Sequence, residues 1–135
     1  SYPFHLCCLV QNKVGLKNLF KIISYANTTY LFRNSEPKLP RGELKKLREG
    51  LLIGSGCING EIFEEAKTKD DEELSNLMQF YDYIEVQPIS AFKHLLQMES
   101  SGFHTMHDLE EHLKKIIRVA RYAGKMVVAT SDAHY

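Results

Sequence analysis

Asp132 and His134 are the residues of this chain best placed to do chemistry. They follow 125–130, an apolar run ending in Thr130 that predicts a buried strand. In extended backbone, side chains two apart point the same way, so this carboxylate and imidazole can converge on one point. That point lies at the carboxyl end of a strand, where ligands of open α/β sheets and α/β barrels collect. A carboxylate and an imidazole are also a common pair of metal ligands. Taken alone, the pair reads equally as a turn with a capping Asp and a surface His.

Two further residues extend the pattern. Cys57 follows the predicted strand Leu51–Ser55 in a Gly-flanked loop, Gly56 to Gly60. In a parallel sheet its loop shares a face with the loop of Asp132 and His134. A thiolate beside a carboxylate and an imidazole suits Zn²⁺, which accepts S, N and O donors. The alternative for Cys57 is a small buried residue, the usual fate of a free cysteine. His5 is the fourth candidate. By strand parity it shares a face with Cys7 and Leu9, while Cys8 points the other way. His5 begins its strand whereas the others follow theirs. Convergence therefore requires either that the first strand run antiparallel to the rest or that a loop carry His5 across.

Other polar residues carry weaker signals. Glu61 lies four positions after Cys57 and reads as an outer-shell or acid/base group, or as a first-turn carboxylate favoured by the helix dipole. Glu85 and Gln87 share one face of a predicted strand and point toward the site or a barrel interior. His94, His104, His107 and His112 are expected at the surface, and Lys45, Lys46 and Arg48 form a small basic cluster. Walker-type loops, the G-x-S-x-G elbow and the dinucleotide fingerprint are absent from the sequence, because Gly54-x-Gly56 lacks its third glycine. Nucleotide cofactors are thus unsupported.

The elements that must position these residues alternate in type. Phe4–Val10 is an apolar run expected to be a strand, and Asn12 can cap the helix after it. Val14, Leu16, Leu19, Phe20, Ile22 and Ile23 recur at helical spacing toward Tyr30. A polar loop bounded by Pro37 and Pro40 precedes a short basic helix, Arg41–Arg48, ended by Gly50. Strand Leu51–Ser55 comes next. Helices open at Glu61 and Asp70, and strand Tyr83–Gln87 ends at Pro88. A helical segment spans Ala91–Met98, Ser100–Gly102 breaks it, and an amphipathic helix covers Asp108–Tyr122. Gly124 ends that helix before the strand Met126–Thr130. Strands alternating with helices predict an α/β fold of about four mainly parallel strands. Four strands with open edges make either an incomplete barrel or a small open sheet.

Composition bounds the functions. The 135 residues suffice for one domain with a core, and no repeat or flexible linker divides them. Lys plus Arg equals Asp plus Glu at 17 each, so the chain lacks a strong pull on nucleic acid or anionic membrane. Three cysteines, two of them adjacent, make a poor disulfide framework and suit a reducing, cytoplasmic setting. No apolar stretch approaches the ~18 residues of a membrane span. Without an initiator Met, and stopping where a site begins, the chain reads as part of something larger.

Four segments together resemble one family. Val14–Ser24, Arg48–Glu61, Tyr81–Pro88 and Val127–Tyr135 are similar, in that order, to the PHP (polymerase and histidinol phosphatase) domain of bacterial DNA polymerase III alpha subunits. The wording of Val14–Phe20 and Ile84–Pro88 is nearest the PolC type of low-GC Gram-positive bacteria. The resemblance weakens over Met98–His107.

This resemblance implies a distorted (β/α)7 barrel with a metal cluster at one end, of which residues 1–135 form a partial, C-terminal portion. It implies that His5, Cys57, Asp132 and His134 are metal ligands, with further family ligands upstream. The implied cofactor is a divalent metal, zinc foremost, with manganese or magnesium as alternatives and magnesium for the parent polymerase. It also implies a replicative DNA polymerase parent, a nucleotidyltransferase with an associated 3′–5′ exonuclease, whose polymerase and exonuclease domains lie outside this segment. Its partners would be DNA, held by those other domains, and replicase subunits. The segment itself would be a phosphoesterase-like module that supports or proofreads synthesis. A standalone PHP-superfamily phosphatase and a non-catalytic scaffold are the other readings. Exposed strand edges further predict self-association of the segment.

Overall fold

A computed structural model describes residues 7–33, 41–56 and 60–129. The chain alternates as expected: β1 (Cys7–Val10), α1 (Lys13–Arg33), α2 (Arg41–Leu47), β2 (Leu51–Gly54), α3 (Glu61–Glu65), α4 (Asp71–Met78) and β3 (Tyr83–Val86). A 3₁₀ segment (Ile89–Gln97) and a 3₁₀ turn (Glu99–Ser101) lead to α5 (Met106–Tyr122) and β4 (Met126–Ala129). The segment expected to be helical at Ala91–Met98 is thus a tighter 3₁₀ run that begins directly after Pro88. The helix that follows begins two residues before the expected Asp108. Thr105 caps it, and Asp108 returns the bond to close a capping box.

The four strands form one sheet in the order β1-β2-β3-β4. β2, β3 and β4 run parallel, and β1 runs antiparallel to β2, with Cys7 opposite Gly54 and Val10 opposite Leu51. The first of the two routes by which His5 could approach the other candidates is therefore the one the strand polarity permits. β3 begins where β2 ends, because Gly54 pairs with Tyr83. At about 3.3 Å per residue, that stagger carries β3 and β4 roughly 10 Å beyond β2. Stagger of this kind accompanies the curvature of barrels.

One face of the sheet carries the core. Ile53, Ile84 and Val86 join Leu44, Phe63, Leu74, Met78, Phe92, Leu109, Ile116 and Val119 in a single buried cluster, with Cys8 and Val127 packed against it. Strand parity places Cys7, Leu9, Tyr83, Glu85 and Met126 on the opposite face. Leu9 and Met126 are exposed there, at 53% and 71%.

Local chemistry explains how α1 meets this sheet. Asn12 Oδ1 accepts the Gly15 N–H at 3.0 Å, the expected cap. α1 then lies against the turn before β2, where Asn18 Nδ2 donates to the Glu49 carbonyl and Gln11 N donates to Gly50 O. A Cβ on Gly15 would sit 1.9 Å from the Gly50 oxygen, and Gly50 itself has φ +77. Both positions demand glycine, the first for close approach and the second for its left-handed backbone.

Candidate functional site

His5, Cys57, Asp132 and His134 all lie outside the described residues. The nearest described residues in the chain, Cys7, Gly56 and Ala129, lie at the start of β1, just after β2 and at the end of β4. Cys7, the start of β1, faces Gly54, the end of β2, and Ala129, the end of β4, pairs with Val86, the end of β3. His5 is two positions before Cys7, Cys57 directly follows Gly56, and Asp132 is three positions after Ala129. Among the described residues, no group of three or more His, Cys, Asp and Glu side chains is disposed to hold a metal ion.

At this end of the sheet the face opposite the core carries Cys7 and Glu85, both half-buried, and Tyr83, which is buried. Gly54 makes room for them, since a Cβ there would lie 2.2 Å from the Tyr83 ring. Burial pushes the Cys7 thiol up to about 11, and the neighbouring Glu85 carboxylate, which also hydrogen-bonds it, adds to the rise. Burial likewise raises the Tyr83 phenol to about 12, with Cys7 and Glu85 contributing. Cys8, on the core face, is also raised by burial, against a smaller opposing pull from Arg48. Cys7 and Cys8 are free thiols. At neutral pH both remain protonated, so neither is an activated nucleophile. Glu85 thus lies on the face of β3 opposite the buried Ile84 and Val86.

The described residues before and after Cys57 are held by hydrogen bonds. Upstream, Ser55 is 1% exposed, and its Oγ donates to Gly56 O and accepts the Glu85 N–H at 3.1 Å. The Ser55 N–H donates to Tyr83 O. Downstream, Glu61 opens α3 and is buried, and the Tyr81 hydroxyl donates to Glu61 Oε1 at 3.0 Å. Glu61 is therefore a first-turn carboxylate, as expected, but one withdrawn from solvent into a bond with a fully buried tyrosine.

Two roles escaped sequence reasoning. Asp82 Oδ2 accepts the Ile53 N–H at 2.7 Å and pairs with Arg48 at 3.1 Å, fixing the start of β3 to β2. Arg48 also lies over the Phe80 ring, 5.2 Å from its centroid, so its charge serves this joint rather than a basic cluster. His112 is the second. His94, His104 and His107 are exposed as expected, but His112 is buried. Its Nε2 hydrogen-bonds the Phe63 carbonyl at 2.8 Å, and its ring meets Phe63 and Phe103 edge-on. The apolar stripe of α5 contained the signal: His112 stands three after Leu109 and four before Ile116. Burial holds its pKa below the usual histidine range, and nearby Lys67 and Lys115 press the same way.

His112 also lines an open cleft of about 570 Å³ with Lys67, Ser101, Phe103, Asp108 and Lys115. Its cations are engaged: Lys67 pairs with Glu64, and Lys115 donates to the carbonyls of Ala66 and Lys69. The cleft lies between α5, the chain just after α3 and the segment Ser101–Phe103.

The fold defines an α/β protein whose strands, parallel but for the first, direct four chain segments to one end of a sheet. Residues 1–127 match the model of the PHP domain, and the chain belongs to the PHP domain family. It is 43% identical over 135 residues to the DNA polymerase III PolC-type of Bacillus subtilis, covering 100% of this chain and 9% of that protein. With the PolC-type polymerases of Listeria monocytogenes and Halalkalibacterium halodurans it shares 46% and 43% identity over 133 residues. Each alignment covers 98% of this chain and 9% of the relative. The chain thus spans about a tenth of the length of these relatives. Among the described residues no helix is long and apolar enough to cross a membrane.

Proposed function

We propose that this chain is the C-terminal part of the PHP module of a PolC-type DNA polymerase III alpha subunit, with the polymerase and exonuclease domains elsewhere in the polypeptide. The observation that carries this reading is identity above 40% to PolC-type polymerases along essentially the whole chain. The parent would extend DNA in the cytoplasm with other replicase subunits. The near-zero net charge of the segment leaves the grip on DNA to other domains.

Within that parent, the module binds a divalent metal through His5, Cys57, Asp132 and His134. One thiolate, one carboxylate and two imidazoles are a donor set matched to zinc, and manganese or magnesium would favour the oxygen and nitrogen donors alone. The antiparallel β1 supports the grouping, because it turns the start of that strand toward the ends of the other three. A metal there supplies Lewis-acid chemistry for phosphoester hydrolysis. The chain's own residues bind it, and the sheet end orients them. The role of the module is then hydrolytic proofreading or support of the polymerase core.

The test is elemental analysis of the longest polypeptide the gene encodes around these residues. Near-stoichiometric zinc, lost in Cys57→Ala and in His134→Ala, is the expected result. Metal-free protein in every preparation, or metal retained in both variants, overturns the proposed centre. Release of nucleotides from a DNA 3′ end, reduced at least tenfold in both variants, would assign hydrolysis to the site; unchanged release would leave it a structural role.

A further inference from the structure

We propose that the outward face of α1 is a docking surface for an acidic amphipathic helix supplied by the rest of the same polypeptide. The inference rests on the reading of this chain as part of a much longer PolC-type polymerase.

α1 presents its larger apolar side chains outward. Its inward side holds Gly15, Asn18 and Ile22. Gly15 meets Gly50, Asn18 donates to the Glu49 carbonyl, and Ile22 is partly buried against the core. Leu16, Phe20 and Ile23 instead face solvent, at 44%, 60% and 45% exposure. Positions i, i+4 and i+7 fall in one row on a helix, the spacing by which one helix packs against another. A surface helix ordinarily turns such a row toward its own core. An exposed row of large apolar side chains marks a surface that another element covers.

Charge identifies the cover. Beside the apolar row runs a second row, Lys13, Lys17 and Lys21, all exposed. α1 contains no Asp or Glu, although acids and bases balance at 17 each over the whole chain. Among the described residues, no ion pair engages these three lysines. Like charges four apart on a helix repel, so carboxylates from outside would stabilise the row. An apolar row flanked by cations matches a helix whose apolar row is flanked by Asp and Glu, as along helix–helix seams. Nucleic acid would engage the lysines but leave Leu16, Phe20 and Ile23 unsatisfied, because phosphate contacts are polar.

The length of chain outside the structure points to the source. This chain covers 9% of its PolC-type relatives, so on that reading most of the polypeptide is tethered to α1. Tethering gives a cover a high effective concentration without a separate binding partner.

The experiment uses the longest polypeptide the gene encodes. Phe20→Cys and, separately, Ile23→Cys are modified with a maleimide, and the products are located by peptide mapping. The reference is a synthetic peptide of residues 13–24 carrying the same substitution. Both positions are expected to react at least roughly tenfold more slowly in the protein than in the peptide, because a covered thiol reacts only from opened states. Adding Lys17→Glu and Lys21→Glu to Phe20→Cys should recover most of that difference, while Lys114→Glu, at an exposed position of α5, should not. A carbodiimide, which joins an amine to a carboxylate in contact with it, is expected to link Lys17 or Lys21 to Asp or Glu in one segment outside these 135 residues. Reaction as fast as in the peptide at both positions, without such a link, overturns the proposal. So does a link to a second copy of the polypeptide, or protection that appears only on adding duplex DNA or only on adding phosphatidylglycerol vesicles. A gene product no longer than these residues defeats the PolC-type reading and the proposal with it. A long product in which α1 reacts freely defeats the docking alone.

Discussion

His112 shows how one residue links the core to pH. The buried imidazole gives its Nε2 proton to the Phe63 carbonyl, and its second nitrogen must take up the charge on protonation. Lys67, from the chain after α3, and Lys115, on its own helix, oppose that charge, while Glu64 favours it weakly. The folded-state pKa is thus below the unfolded value of about 6.5. A histidine with a depressed pKa binds fewer protons folded than unfolded, so stability is whole above that value and falls as pH drops below it. The melting temperature is accordingly expected to decline between pH 7 and pH 5. In His112→Gln, which keeps a donor for Phe63 but does not titrate, the decline should be shallower. An equal decline in both proteins would show that other groups dominate.

At the scale of elements, the seat of α1 is a close contact of two glycines. Gly15→Ala would drive a methyl into the Gly50 carbonyl, a backbone atom that cannot rotate away. A loss of about 2–4 kcal/mol in unfolding free energy is expected, larger than the usual surface substitution. Gly42→Ala, in open space on α2, is the matched control and should be neutral or slightly stabilising by helix propensity. Chemical denaturation compares the two, and equal midpoints would disprove the contact. Packing of α5 on the sheet rests on residues such as Leu109, which has no exposed surface. Leu109→Ala should cost about 2–5 kcal/mol by transfer and cavity terms together.

For the whole molecule, the two faces of the sheet differ. One is covered by helices. The other presents Leu9 and Met126 to solvent, and among the described residues β1 and β4 form the open edges of the sheet. Unpaired strand edges beside exposed apolar side chains favour association with another chain. The isolated 135-residue chain is therefore expected to self-associate, with light scattering giving a mass that grows with concentration from the 15.5 kDa monomer. A constant monomer mass at high concentration would count against an uncovered sheet.

Period and punctuation decided much of this protein locally. Alternation of apolar strands with helical stripes, the Asn12 cap and the break at Gly102 each depend on a few adjacent residues, so the element order and the α/β class were legible in the sequence. The family resemblance was legible for the same reason, since Arg48–Glu61 and Tyr81–Pro88 are contiguous motifs. Boundaries were less so: Ala91–Met98 reads as helix by its apolar spacing, yet it forms 3₁₀ turns after Pro88. Long-range choices were not legible. The direction of β1 depends on hydrogen bonds between Cys7–Val10 and Leu51–Gly54, far apart in the chain, and strand periodicity is the same in either direction. Burial of Glu61 beneath Tyr81, twenty residues on, and of His112 beneath Phe63, forty-nine residues back, is equally a product of packing. Local pattern states which face of an element is apolar; tertiary structure alone decides which polar groups that face carries inside, because their partners come from elsewhere in the chain.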